Sequence, residues 1–201
     1  MLTAFDLSCT RGGRPLFAGV GLRLARGEWA HVRGANGAGK TSLLRILTGL
    51  APPESGEVRW NDIPIARDRA AWHARLLYLG HPAAIKDELT PLENLRAANA
   101  LVGLPLSDEC ALRALRRFGL KGREHLPVRF LSAGQRRRVL LSRTLTRTAD
   151  AWILDEPLTE LDADAIEDFS AIVAGHLSRG GLAVVTSHQP LPLPGGQEIV
   201  L

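Results

Sequence analysis

Eight consecutive residues, Gly34-Ala35-Asn36-Gly37-Ala38-Gly39-Lys40-Thr41, constrain this chain more than any other stretch: they spell a complete GxxxxGK[ST] phosphate loop. Such a loop works only where a buried strand hands over to the N-terminus of a helix. The flanking sequence predicts both, a strand over the apolar run 29–32 and a helix over 42–48. Gly34, Gly37 and Gly39, with Ala35, Asn36, Ala38 and Ser42, then present backbone N–H groups to phosphate, reinforced by the helix dipole. Lys40 reaches the β- and γ-phosphates and the Thr41 hydroxyl ligates Mg²⁺. The expected ligand is a nucleoside triphosphate, and the expected fold class is α/β.

Upstream, residues 4–32 alternate apolar and polar around Gly12-Gly13 and Arg26-Gly27, which predicts short antiparallel strands. Pro52-Pro53 and Ser55-Gly56 mark a turn, followed by strands over 57–60 and 76–79. Composition then turns helical. Thr90-Pro91-Leu92-Glu93 is a capping box with proline at the first helical position, opening a helix to about residue 102. Ser107 opens a second helix that Gly119 ends, and Ser132 a third that runs to about residue 148. Residues 85–147 therefore form an all-helical insertion in a single domain. Residues 1–84 and 148–201 form its nucleotide-binding core. Strand–helix alternation resumes with a strand at 151–154, a helix at 164–179 and a strand at 182–186, implying a parallel sheet covered by helices. Residues 189–194 and 198–201 read as a short closing tail.

A chain of 201 residues with 45% hydrophobic content buries a substantial core. Its longest apolar runs, about four to seven residues, fall far short of the ~20 needed to cross a bilayer. With no basic-then-apolar leader, the expectation is a soluble cytoplasmic protein. Cys9 and Cys110 are widely separated and expected to be free thiols. The net charge of +4 rests on arginine, Lys40, Lys86 and Lys121 being the only lysines. The one cluster, Arg136-Arg137-Arg138, follows a helix start and reads as a solvated or subunit-facing face. Aromatic residues do not interleave with it, so no nucleic-acid partner is expected.

Ala151-Trp152-Ile153-Leu154-Asp155-Glu156 is a buried strand delivering two carboxylates to its C-terminal edge. Asp155 would hold Mg²⁺ and Glu156 would orient or deprotonate the attacking water. Leu131-Ser132-Ala133-Gly134-Gln135 places a small hydroxyl residue and free N–H groups at another helix N-terminus, a second anion site. One nucleotide does not need two such sites unless the second serves another molecule. Together these motifs resemble the ATP-binding cassette family nearly end to end. Its LSGGQ signature is matched except at Ala133, its Leu-Asp dipeptide by Leu161-Asp162, and its late histidine by His188. The resemblance implies a P-loop NTPase core of RecA type with an antiparallel β subdomain and an inserted helical subdomain. It also implies a head-to-tail homodimer holding two ATP molecules. Ser132 and Gly134, with Gln135 and Asp162, of one subunit would meet the nucleotide held by Lys40 of the other. His188 would contact the γ-phosphate and keep Glu156 and water in place. Two positions depart from the family pattern. His81 stands where a glutamine usually senses Mg²⁺ and couples to a membrane subunit, and Arg11 or Phe17 replaces the usual adenine-stacking aromatic.

Within the family, the stretch from Gly80-His81-Pro82 through Leu92-Glu93-Asn94-Leu95 resembles the cytochrome c maturation branch, as does Ser187-His188-Gln189-Pro190-Leu191. That branch usually has Gln where Pro82 stands. The resemblance implies an ATPase peripheral to the cytoplasmic face of the bacterial inner membrane, bound to integral-membrane subunits. It would power haem export or release of a haem-loaded chaperone. Haem would be handled by those partners, since the chain has no Cys-x-x-Cys-His and no histidine beside a cysteine. The alternatives are the cassette of another small-molecule transporter and a soluble cassette acting on nucleic acid or ribosomes. Against the latter, roughly 90 residues between phosphate loop and signature are too few for a long coiled-coil arm.

Overall fold

The computed structural model describes residues 1–80 and 84–201, so the coupling position His81 and its neighbour Pro82 lie outside the described residues. Among the described residues nine strands form two sheets: β1 (Leu2–Arg11), β2 (Arg14–Leu24), β3 (Trp29–Arg33), β4 (Ser55–Trp60), β5 (Ile63–Pro64), β6 (Leu76–Leu79), β7 (Ala151–Leu154), β8 (Leu182–Thr186) and β9 (Gln197–Val200). The first sheet runs β2-β1-β4-β5 and is antiparallel; the second runs β6-β7-β8-β3-β9 and is parallel. The helices are α1 (Lys40–Leu47), α2 (Arg69–Arg75), α3 (Pro91–Ala100), α4 (Asp108–Arg117), α5 (Ala133–Leu141), α6 (Arg143–Thr146) and α7 (Ala163–Ser178).

The central strands β7 and β8 are buried at every residue, as a parallel sheet covered on both faces requires. Alternate residues serve different cores. Val32, Ile153 and Val184 face a first core shared with Leu43, Leu44 and Leu47 of α1 and with Leu2, Leu7 and Leu24 of the antiparallel sheet. Trp29, Trp152, Leu154 and Val185 face a second core with Phe169 and Val173 of α7. A third core lies within the helical insertion, where Leu92, Leu95, Leu115, Val128 and Val139 pack together. The expected caps form: the Thr90, Ser107 and Ser132 hydroxyls each accept from the backbone N–H three residues on, and the Glu93 and Gln135 side chains reach back.

The structure departs from expectation in four places. Residues 29–33 join the parallel sheet, so of the stretch expected to be antiparallel only β1 and β2 are, and both are long rather than short. The closing tail contains β9, which pairs parallel to β3. Helix α2, capped by the Asp68 carboxylate accepting from Ala71 N, carries no strong sequence period. The helix expected over 132–148 divides at Ser142, whose hydroxyl donates back to the Arg138 carbonyl at 2.8 Å; such back-bonding bends helices. Among the described residues no helix is long and apolar enough to cross a membrane. Cys9 and Cys110 are both free thiols.

Candidate functional site

Strand β3 delivers the phosphate loop and α1 closes it. Gly39 caps α1 in the left-handed conformation at φ 106°, and a Cβ there would meet Phe17 Cδ1 at 3.0 Å and Leu16 Cβ at 3.1 Å. No side chain caps α1 and no acidic residue occupies its first turn, so its N–H groups are free for an anion. Lys40, largely buried, folds back over the loop, its Nζ donating to Gly34 O at 2.8 Å and Ala35 O at 3.4 Å. That ammonium is thus held across the loop's mouth by the backbone.

Strands β7 and β8 bring the acids to the same place. Thr41 Oγ1 donates to Asp155 Oδ2 at 2.9 Å, and Thr186 Oγ1 donates to Asp155 Oδ1 at 2.8 Å. The Thr186 hydroxyl also accepts from Glu156 N at 2.8 Å, fixing the residue that follows. Asp155 is 2% exposed. Glu156 adopts a left-handed backbone, φ 49°, which turns its carboxylate out of the strand direction. Its Oε1 is buried without a hydrogen-bond partner, and His188 Nε2 stands 3.6 Å away, beyond hydrogen-bond length. An unpartnered buried carboxylate oxygen beside a phosphate loop is the arrangement a water-activating group needs.

These residues line one cleft of about 890 Å³, within the range of small-molecule sites. Its walls bring together Ala35, Asn36, Gly37, Gly39, Lys40, Thr41 and Ser42 with Asp155, Glu156 and His188. Arg11 and Leu16 form the outer wall, while Phe17 is buried in the first core. The Thr41 hydroxyl and Asp155 carboxylate are the hard oxygen donors that suit Mg²⁺. Among the described residues no group of three or more His, Cys, Asp or Glu side chains could hold a metal alone.

Ser132, Gly134, Gln135 and Asp162 do not line this cleft. Ser132 and Gln135 are engaged in their capping box, and Asp162 caps α7 by accepting from Ala165 N at 2.9 Å. The arginine cluster, expected to be a solvated or subunit-facing face, departs from that at its middle residue: Arg137 is 7% exposed and points inward, while Arg136 and Arg138 are half-buried. Thr186 and Leu16 were likewise without a sequence-level role. A polar residue ending the apolar run Leu182–Thr186 was the signal for Thr186.

Residues 17–159 match the model of the family described as ABC transporter. The cytochrome c biogenesis ATP-binding export protein CcmA of Dechloromonas aromatica is 51% identical over 196 residues, covering 98% of this chain and 96% of that protein. The protein of the same description from Aromatoleum aromaticum is 51% identical over 193 residues, covering 96% and 90%. Among solved structures, a putative ABC transporter ATP-binding protein from Pyrococcus furiosus superposes with a TM-score of 0.86 at 24% identity, covering 100% of this chain and 96% of that one. A bacterial ABC transporter cassette solved as a dimer, MJ0796, gives 0.82 at 22% identity, covering 94% and 88%. These two share the fold.

Proposed function

Because the chain belongs to the ABC transporter family, we propose that it is the ATP-hydrolysing subunit of a bacterial inner-membrane complex for cytochrome c biogenesis. It would sit peripherally on the cytoplasmic face, bound to integral-membrane subunits that handle haem, and power haem export or release of a haem-loaded chaperone. The observation that carries the enzymatic part is the single cleft in which Lys40, Thr41 and Asp155 adjoin the unpartnered Glu156 carboxylate. About 51% identity across nearly the whole chain to proteins named for cytochrome c biogenesis supports the rest.

The phosphate loop and the α1 N-terminus bind the triphosphate, and Lys40 turns from the Gly34 carbonyl to the β- and γ-phosphates. Arg11 stacks on the base. Glu156 accepts a proton from water as its oxygen bonds to the γ-phosphorus; the bond to the bridging oxygen breaks and ADP leaves. His188 holds that water and the γ-phosphate. Mg²⁺ on Thr41 and Asp155 would neutralise charge on the phosphate oxygens. Ser132, Gly134, Gln135 and Asp162, set outside the chain's own cleft, are offered to the nucleotide of a second copy. His81 takes the coupling position.

Glu156→Gln keeps the phosphate loop intact while removing the base. It should bind ATP and hydrolyse it about 10²–10⁴-fold more slowly, arresting as a closed dimer. Purified with Mg²⁺–ATP from detergent-solubilised native membranes, it should bring cytochrome c maturation membrane proteins and a haem-loaded chaperone, identified by mass spectrometry. An unrelated permease in their place would discard the haem assignment. Hydrolysis at the wild-type rate would discard Glu156 as the base.

A further inference from the structure

One face of α5 holds the loop that carries Glu156. Gly134, Arg137 and Arg138 follow the spacing i, i+3, i+4 and so share that face. At Gly134 an added Cβ would lie 2.8 Å from the Glu160 carbonyl oxygen, so the helix rests directly on the loop. The Arg137 guanidinium donates to three successive carbonyls: Asp155 O at 3.2 Å, Glu156 O, and Pro157 O at 3.1 Å. Arg138 Nη2 donates to Asp162 Oδ2 at 2.6 Å, at the loop's far end.

The loop needs holding. Glu156 and Glu160 are non-glycine residues with φ of 49° and 66°, a conformation that L side chains disfavour. Arg137 itself is an expensive residue to bury, and burial lowers its pKa below the ordinary arginine value. Its hydrogen bonds among the described residues go to the loop's carbonyls rather than to a carboxylate. A hydrophobic side chain would fill that space without the desolvation cost, so packing alone does not account for arginine there.

We propose that Arg137 is a positioning residue for Glu156: by fixing the carbonyls of 155–157 it maintains the left-handed turn that aims the Glu156 carboxylate into the phosphate cleft. This rests on the role proposed above for Glu156.

Arg137→Met removes every donor while keeping an unbranched apolar stem, and Arg137→Lys keeps a cationic donor. Steady-state ATPase assays of the purified protein should show kcat falling about tenfold or more in Arg137→Met, with the KM for ATP and the affinity for a fluorescent ATP analogue within about twofold. Arg137→Lys should recover a large part of that loss. The decisive readout is a double-mutant cycle by single-turnover hydrolysis: placed on Glu156→Gln, Arg137→Met should cost little more, because its effect runs through the missing carboxylate. An equal loss in both backgrounds, or wild-type kcat in folded Arg137→Met, would overturn the proposal. Should Arg137→Met fail to fold, Arg137→Gln replaces it in the same cycle: a loss confined to the Glu156 background supports the proposal, and an equal loss in both overturns it. If Glu156→Gln alone hydrolyses at the wild-type rate, the Glu156 assignment fails instead, a result visible before Arg137 is altered.

Discussion

At Thr186 a single hydroxyl serves two neighbours, donating to the Asp155 carboxylate and accepting from Glu156 N. One side chain on β8 thereby fixes both acids at the end of β7. A second buried polar group, His176, works differently. Its ring stacks on Trp152, centroids 3.8 Å apart and planes within 5°, and Nε2 donates to the Leu182 carbonyl at 3.1 Å. Burial pushes its pKa below the ordinary histidine value of 6.5. A depressed value means that the folded state favours the neutral ring. Its contribution to stability is full above pH 6.5 and is lost as pH falls from there through the lowered folded value, because the unfolded chain takes up the proton first. Thermal melts across that window should show a smaller acid-side loss of Tm in His176→Gln than in the wild type.

Among the elements, α3 starts most sharply, with Pro91 after Thr90 and reciprocal bonds between Thr90 and Glu93. Thr90→Ala should lower stability by about 1 kcal/mol in chemical denaturation while leaving the slope with denaturant unchanged. Elements of this kind were legible in the sequence because local chemistry specifies them: caps, the phosphate loop, and the uninterrupted apolar runs of β6, β7 and β8. Strand β9 was not legible, since of Gln197, Glu198, Ile199 and Val200 only Ile199 is buried and an edge strand carries little pattern. The division of α5 from α6 was also hidden, because Ser142 in an apolar helix is ambiguous until its hydroxyl is seen bonded to Arg138 O. At the site, residues tied to backbone motifs could be read directly. Arg137 could not, because a run of three arginines looks solvated until tertiary contact turns the middle one inward.

For the molecule as a whole, the phosphate loop, β7 and β8 meet in one cleft built on the first two cores, so nucleotide binding is coupled to global stability. ATP at about 100 times its Kd should stabilise the fold by roughly 2.7 kcal/mol, a Tm rise of about 5–10 °C for a domain of this size. Lys40→Ala, which removes the ammonium held over the phosphate loop, should abolish most of that rise in the same melt. The helical insertion joins this structure through Phe118, Leu140 and Leu141 in the second core, and it also encloses an apolar core of its own. Its seam with α7 carries charged pairs beside those apolar contacts: Arg117 Nη1 meets Asp168 Oδ1 at 2.9 Å, and Arg138 meets Asp162. Exposed charges of that kind feel one another over a Debye length of ~8 Å at physiological salt, whereas an apolar interior does not. Ionic strength therefore acts on the charged pairs of that seam while leaving the apolar contacts beside them, and the interior of each part, untouched.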